Sequence, residues 1–281
     1  MKPRASPEAA LDGPGTEMIP AAAIIRNRGL SEVPGPDFPR FGLGRRVLYI
    51  RRDLTPRVTD IFKALAELKR SASSGAGNRR SGFPIKLDGG FELFVRRGRR
   101  GGFARFITHD VYFGASARPL RELAVANEAR LRGIPIAEPL GVMIEAVTPG
   151  FYRSAFITRA LSGMTLWEFL RADDDPVVRM HVAELARQAI DTMHDGGILH
   201  ADLNLHNLFV SKSGERLIVI VLDLDKAQLF NQPVAPARRR VNFERLARSA
   251  RKLDPEHHYL DPRALALLTS GARPAFKPGS E

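Results

Sequence analysis

The sequence predicts an α+β fold in two lobes, preceded by a mobile leader. The 281 residues are enough for one large domain or two modest ones, and a hydrophobic share of 44% is sufficient for a buried core. Strand and helix patterns alternate early in the chain, and a long amphipathic helix, a polar loop and a buried strand follow later. We therefore expect a disordered leader at 1–35, an accessory strand and helix at 36–70, and lobes at 71–160 and 161–281.

The composition excludes several kinds of site. The chain has no cysteine, which rules out disulfides, cysteine-ligated zinc and a cysteine nucleophile, and suits a cytoplasmic protein. No apolar run approaches the roughly 18 residues that span a bilayer, and the N-terminus lacks the apolar segment of a signal peptide. We therefore expect a soluble or peripheral protein. Its net charge of +12 favours an anionic partner, such as nucleic acid, acidic lipid headgroups or ATP, without choosing among them.

The first elements follow from local patterns. Residues 1–35 are rich in proline, glycine and alanine without a steady period, which is typical of a mobile segment. Val47–Ile50 is a short apolar strand, and Pro56 starts a helix with one apolar face. Residues 71–82 show neither a helical nor a strand pattern of apolar residues. They are either a linker or a glycine-rich loop that closes over phosphate groups. The glycines of this segment are Gly75, Gly77 and Gly82.

The next strand and helix carry a candidate ion pair. Phe91–Val95 alternates as a strand and ends at Arg96, and a helix over about 118–132 carries Glu122 near its start. A cation at the strand end and a carboxylate on the helix can together orient phosphate groups. The less favoured alternative for Glu122 is an exposed acidic residue that interacts favourably with the helix N-terminus. Lys86 is the rival cation, but it follows the glycine segment too closely to leave room for a further strand.

The end of the first lobe and the start of the second supply scaffold elements in the expected order. Ala155–Ala160 is expected to be a strand, and Thr165 with Glu168 forms a capping box that starts a short helix. A long helix is expected from Pro176, with an apolar stripe on one side, and it should end at Gly196. This helix would position the loop that follows it.

That loop has the most informative spacing in the chain. Residues 200–207 read His-Ala-Asp-Leu-Asn-Leu-His-Asn, and an apolar strand at 217–222 leads to Asp223. Asp202 can accept a proton from a substrate hydroxyl, while oxygens of Asn207 and Asp223 suit a Mg²⁺ ion that bridges phosphates. A lone Asp and Asn at this spacing is most often a solvated turn. With a helix before and a buried strand after, phosphoryl transfer from ATP becomes the leading interpretation.

Three histidines near the loop receive different interpretations. His200 is grouped with Asp202 as a catalytic residue, and we expect it to brace the loop by hydrogen bonding. His206 is expected to face the substrate. His194 lies in the last turn of the preceding helix, where a solvated imidazole is the favoured prediction.

Taken together, these residues resemble the 3-deoxy-D-manno-octulosonic acid (Kdo) kinases of the lipopolysaccharide kinase family. The resemblance covers about 75–252 and implies a two-lobed protein-kinase-like fold. Aminoglycoside-type phosphotransferases would more typically have Gly where Ala201 stands. The segments that carry the resemblance are the loop at 200–207, Asp-Leu-Asp-Lys at 223–226, the basic turn at 96–102, the helix and its exit at 121–135, and Asn-Phe-Glu-Arg-Leu-Ala-Arg-Ser at 242–249.

The resemblance implies roles for the earlier candidates. Gly75 and Gly77 would cover the nucleotide phosphates, Arg96 would occupy the place of the usual phosphate-clamping Lys, and Glu122 would orient it. Arg for Lys departs from the general kinase pattern, because a planar guanidinium does not reproduce the geometry of an ammonium group. The adenine base would meet the backbone at 159–161.

The implied substrate is a Kdo hydroxyl on a lipid A precursor, within lipopolysaccharide inner-core biosynthesis. Such an anionic glycolipid sits in a membrane, so the basic chain would be peripheral on the cytoplasmic face of the inner membrane. Arg97, Arg99 and Arg100 would contact anionic headgroups, or form a solvated turn.

Two alternatives remain open at this point. One is a kinase of another sugar, a small molecule or a protein, although the short chain after Asp225 lacks the Ala-Pro-Glu segment of protein kinases. The other is a non-catalytic pseudokinase that binds anionic membrane or nucleic acid. The intact set of Asp202, Asn207 and Asp223 argues against the second, and nucleic acid is not the expected partner.

Overall fold

The computed structural model describes residues 37–73, 82–97, 112–113, 117–149 and 151–270. The predicted leader, Gly75, Gly77, Arg99 and Arg100 lie outside the described residues. The chain divides into two compact units. The sheet unit comprises the described residues up to 128 together with 137–161, and the helical unit comprises 129–136 and the described residues from 162 onward.

The described part of the sheet unit is built on one antiparallel sheet of seven strands, in the order β1-β2-β6-β7-β4-β3, with β5 also paired to β7. Helix α1 follows the first hairpin, and helix α2 stands between β5 and β6. The bounds are β1 Arg40–Leu43, β2 Arg46–Ile50, α1 Val58–Ser73, β3 Phe83–Leu87, β4 Phe91–Arg97, β5 Tyr112–Phe113, α2 Ala117–Leu131, β6 Pro139–Thr148 and β7 Phe151–Arg159.

The predicted strand at 47–50 and the helix after it belong to the core of this unit. β2 pairs with β6, and α1 buries the apolar face that its sequence period predicts, including Ile61 and Leu65. Both side chains lie in one apolar cluster with Leu48 of β2 and Leu93 of β4. The segment from 37 to 70 therefore shares its buried surface with the later strands.

The described part of the helical unit contains small sheets framed by helices. One sheet has the order β11-β10-β8, and the other pairs β12 with β9. The bounds are β8 Gly163–Thr165, α3 Leu166–Ala172, α4 Pro176–Asp195, β9 Ile198–Leu199, β10 Leu208–Ser213, β11 Arg216–Val221, β12 Gln228–Leu229, α5 Pro236–Leu253 and α6 Pro262–Thr269.

The helix boundaries follow from their caps. The predicted capping box is confirmed, since Glu168 N donates to Thr165 and the Glu168 carboxylate accepts from Thr165 N. The side chain of Asp175 caps the start of α4, with Pro176 as its first residue, and the helix ends at Asp195 as its glycines predict. The α+β fold class is confirmed. No helix in the described part of the chain is long and apolar enough to cross a bilayer.

The prediction of a solvated His194 is wrong. Its side chain is 0% exposed, and its ring packs edge-on against that of Phe243 in α5, at 5.4 Å between ring centroids. A last-turn position faces solvent only when no neighbouring element covers it, and here α5 does.

Candidate active site

The loop between β9 and β10 is organised around His200. This side chain is 1% exposed, and its Nδ1 accepts from the backbone N–H of Asp202 at 3.0 Å. Because Nδ1 is an acceptor, Nε2 carries the proton and donates to the carbonyl of Leu222 at 2.9 Å. Burial lowers the pKa of His200, which keeps the imidazole neutral. A neutral histidine thus links Asp202 to the residue that precedes Asp223.

Asn242 of α5 fixes the same loop from the other side. Its side chain is 0% exposed, donates to His200 O at 2.8 Å and accepts from His200 N at 3.3 Å. The same amide oxygen accepts from Nε2 of His194 at 3.0 Å. Burial lowers the pKa of His194 to about 4, so this second imidazole is also neutral. α5 therefore positions the loop through buried hydrogen bonds.

The backbone of Asp202 is held while its side chain is exposed. The Asp202 carbonyl accepts from Nδ2 of Asn204 at 2.9 Å and from Nδ2 of Asn207 at 2.8 Å. Asn204 also caps the turn that follows, accepting from the N–H groups of His206 and Asn207. No described residue donates to the Asp202 carboxylate. It is therefore oriented by its backbone and open to a substrate.

Asn207 is joined through its backbone to the residue that precedes Asp223, the other predicted metal ligand. The N–H of Leu222 donates to Asn207 O at 2.8 Å, which joins the turn to the end of β11. With Nδ2 of Asn207 bound to Asp202, its Oδ1 is the atom able to meet a cation. Amide and carboxylate oxygens suit Mg²⁺, which takes few protein ligands and completes its shell with phosphates and water. The described residues contain no cluster of three or more His, Cys, Asp or Glu fit for a metal ion, and a two-ligand site needs none.

Asp223 itself has an unusual backbone conformation. Its φ is 58°, in the left-handed region that non-glycine residues enter at a cost of about 1–3 kcal/mol. Its carboxylate accepts from the N–H of Asp225 at 3.3 Å. Such strain concentrates at functional sites, where the surroundings fix one conformation.

A cavity of about 590 Å³ opens at this loop. Asp202 and Asp223 both line it, and Asn207 does not. The remaining charged residues of its wall are Asp225, Lys226, Arg245, Arg248 and Lys252.

In the sheet unit, the structure brings Arg96 and Glu122 together. A guanidinium N–H of Arg96 donates to the Glu122 carboxylate, and both side chains are partly buried. The rival cation, Lys86, is instead 80% exposed and pairs with Glu92 across the β3–β4 hairpin at 3.0 Å. The role of the Arg96–Glu122 pair toward phosphates stays a prediction, as do the roles of Gly75 and Gly77.

An ion-pair network at the end of β7 was not expected from the sequence. Glu138 accepts from Nε of Arg159 at 2.5 Å and from a guanidinium N–H of Arg51. Burial opposes ionisation of Glu138, but the bonds from Arg159 and Arg51 outweigh it and leave the pKa of Glu138 below its usual value. This network fixes the strand end at which adenine binding is predicted.

Sequence reasoning also missed the supporting residues of the loop. Asn204 is identifiable as a local cap, because an Asn directly before a turn can accept from the N–H groups two and three residues further on. The sequence signal for Asn242 is weaker. It is a polar residue four positions before the buried Leu246, and therefore on the same apolar face of the helix. Its partners are 42 and 48 residues away, which no local pattern specifies.

A family model shows the family to which this chain belongs. Residues 65–263 match the family model described as "Lipopolysaccharide kinase (Kdo/WaaP) family". The chain is similar to a 3-deoxy-D-manno-octulosonic acid kinase of Xylella fastidiosa (strain 9a5c), at 30% identity over 192 residues that cover 66% of this chain and 72% of the relative. A protein of the same name from Stenotrophomonas maltophilia (strain R551-3) is 28% identical over 227 residues, covering 78% and 85%. A solved structure of WaaP in complex with acyl carrier protein aligns with a TM-score of 0.42 and 15% identity, over 70% of this chain and 80% of that one.

Proposed function

Because the chain belongs to the lipopolysaccharide kinase (Kdo/WaaP) family, we propose that it transfers the γ-phosphoryl group of ATP to a hydroxyl of Kdo on a lipid A precursor. It is a phosphotransferase that acts on a sugar hydroxyl. The observation that supports the proposal most is the pair of bonds from the buried His200, which link the backbone of Asp202, the candidate base, to Leu222, the residue before the candidate metal ligand Asp223.

Asp202 would accept the hydroxyl proton. As the hydroxyl oxygen bonds to the γ-phosphorus, the bond from that phosphorus to the bridging oxygen of the β-phosphate breaks, and ADP leaves. The exposed carboxylate of Asp202 is able to turn toward the acceptor. Three hydrogen bonds with neighbouring side chains hold the Asp202 backbone in place. Positioned proton acceptors of this kind contribute about 10²- to 10⁴-fold to a rate.

Asn207 and Asp223 would hold Mg²⁺, through Oδ1 of the amide and the carboxylate respectively. A bound Mg²⁺ supplies neutralisation of the charge on the β- and γ-phosphates. The backbone bond between Leu222 and Asn207 supports this pairing, because it keeps the two ligands in register.

Arg96, oriented by Glu122, would contact the nucleotide phosphates in place of the usual Lys. The pair is half-buried, so its charges are less screened than those of an exposed pair. A guanidinium presents two parallel donors, which suits phosphate oxygens.

The acceptor would be a Kdo-bearing glycolipid, met at the cytoplasmic face of the inner membrane. The net charge of +12 supports peripheral attraction to anionic headgroups. Co-sedimentation with phosphatidylglycerol vesicles, weakened by added salt and absent with phosphatidylcholine alone, would support this location. Equal sedimentation with both lipids would contradict it.

The experiment that tests the function compares acceptors. Purified protein with ATP and Mg²⁺ should release ADP rapidly with Kdo-lipid A, and slowly with lipid A that lacks Kdo. Equal rates with the two acceptors would show that Kdo is not the phosphorylated sugar.

A further inference from the structure

The cavity beside Asp202 has a basic wall. Arg245, Arg248 and Lys252 of α5 line it together, and their spacing of three and four residues puts them on one face of the helix. Lys226, three residues after Asp223, adds a fourth cation. The catalytic residues proposed above do not account for this wall.

The basic face is fastened to the catalytic loop. Arg245 donates to the carbonyl of Ala201, the residue before Asp202, and Oγ of Ser249 accepts from Leu205 N at 3.4 Å. With the buried bonds of Asn242, these contacts hold α5 against the loop along about two turns. The cations are therefore kept at a fixed place relative to the Asp202 backbone.

Three of the four cations have no partner within the described chain. The side chains of Arg248, Lys252 and Lys226 make no hydrogen bond, ion pair or ring contact with the described residues. Two other arginines of the same unit do have carboxylate partners: Arg187 pairs with Asp191 at 2.9 Å, and Arg239 with Asp195 at 2.8 Å. Exposed cations are common, but an unmatched set around one cavity indicates a site for an anion.

The chemistry of the acceptor supplies that anion. Asp202, Asp223 and Asp225 line the cavity, so a negatively charged sugar entering it is repelled unless cations offset the repulsion. Kdo carries its carboxylate on the same sugar that carries the hydroxyls, so the acid must enter this cavity when a hydroxyl reaches Asp202. A cavity of about 590 Å³ is of a size to hold a sugar unit.

We propose that Arg248 and Lys252, assisted by Lys226, form an anion subsite that binds the carboxylate of the acceptor sugar and so orients its hydroxyl toward Asp202. Arg248 can donate two parallel hydrogen bonds to a carboxylate, and Lys252 adds a second positive charge one turn further along α5. The subsite rests on the proposed function, and it assigns to these residues the selection of an acidic sugar.

The test uses paired variants of one helix. Arg248→Gln combined with Lys252→Gln should raise KM for Kdo-lipid A by about tenfold or more, because charged hydrogen bonds to the acceptor are lost. The KM for ATP should change less than about twofold, because the two residues do not bind the nucleotide in this proposal. Arg240→Gln combined with Arg251→Gln is the matched control, since it removes two positive charges from the same helix at residues that line a different cavity. Thermal unfolding of all three proteins verifies the fold.

A change in the acceptor identifies the anion. Wild-type protein should lose about tenfold in kcat/KM when the Kdo carboxylate is converted to an amide, and the double variant should lose little, because the two changes remove one interaction. Lipid A without its phosphates, but with Kdo intact, should keep the difference between the two proteins. If dephosphorylation abolishes that difference instead, the cations bind lipid A phosphate and the carboxylate subsite is wrong.

The remaining outcomes separate the two proposals. If wild-type protein phosphorylates Kdo-lipid A and the double variant has an unchanged KM for it, the proposed subsite is wrong and the proposed function is supported. If wild-type protein transfers no phosphate to any Kdo acceptor, the proposed function and the proposed subsite are both wrong. A raised KM for ATP alone would assign the cations to the nucleotide and overturn the subsite.

Discussion

At the scale of single residues, Asp202 combines a fixed backbone with an exposed carboxylate. Asp202→Asn should lower turnover by about a hundredfold or more while leaving ATP affinity unchanged, because the amide retains the shape but does not accept the proton. Steady-state kinetics and ATP titration measure the two effects. Asp174→Asn, a surface carboxylate paired with Arg179, is the control and should be neutral. Near-normal turnover of the Asp202 variant would remove this residue from the mechanism.

Asp223 is predicted to act through metal binding, with little effect on folding of the metal-free protein. Asp223→Asn should abolish Mg²⁺-dependent ATP binding, since the charge of the main ligand is lost. Asn tolerates the left-handed φ of 58° at this position, so the unfolding temperature of the metal-free protein should hardly change. Calorimetric ATP titration with Mg²⁺ and with EDTA tests the first statement. A large fall in the unfolding temperature would make Asp223 structural.

At the scale of elements, the attachment of α5 to the loop depends on one amide. Asn242→Ala removes the partner of the buried His200 peptide and of His194, and should destabilise the protein by about 3 kcal/mol. Urea unfolding measures the loss. Glu244→Ala, two residues away and exposed, should change stability by no more than about 0.5 kcal/mol. Equal stabilities for the two variants would mean that the Asn242 bonds contribute nothing net.

The elements around the site differ in how far the sequence predicts them. The bounds of α4, the capping box at Thr165 and the strand that ends near Arg96 follow from local periodicity and caps, and the structure has them as expected. The burial of His194 does not follow, because it depends on α5, which is about 50 residues further along the chain. The basic wall beside Asp202 was missed for the same reason.

At the scale of the whole molecule, the α+β class is predictable, whereas the strand order is not. The segment at 36–70 is predicted from the sequence to be an accessory strand and helix. In the structure, β2 pairs with β6 about 95 residues later, and α1 packs on the same apolar core. Pairing at that distance depends on burial shared by several strands, which no single pattern encodes.

The two buried imidazoles predict an acid-sensitive fold. Burial lowers the pKa of His194 from 6.5 to about 4, and lowers that of His200 as well. Between those two pH values the unfolded chain binds more protons than the folded one, so stability is full above pH 6.5 and falls as pH drops toward 4. His194 alone should account for a loss of about 3 kcal/mol across this window.

Urea unfolding at a series of pH values measures this slope. His194→Gln should flatten it, whatever the variant's stability at neutral pH, because the titrating group is gone. His181→Gln is the control, since it removes an exposed imidazole from the same helix. A slope identical in His194→Gln and wild type would exclude His194 as its source.

Phosphate transfer to Kdo is proposed to depend on the loop at 200–207 and on Asp223. Mass spectrometry of Kdo-lipid A, incubated with purified protein, ATP and Mg²⁺, tests it most directly. We expect one added phosphate, located on the Kdo residue by fragmentation, and no such product with Asp202→Asn under the same conditions. Phosphate on the lipid A sugars, or an unmodified glycolipid with the wild-type protein, would contradict it.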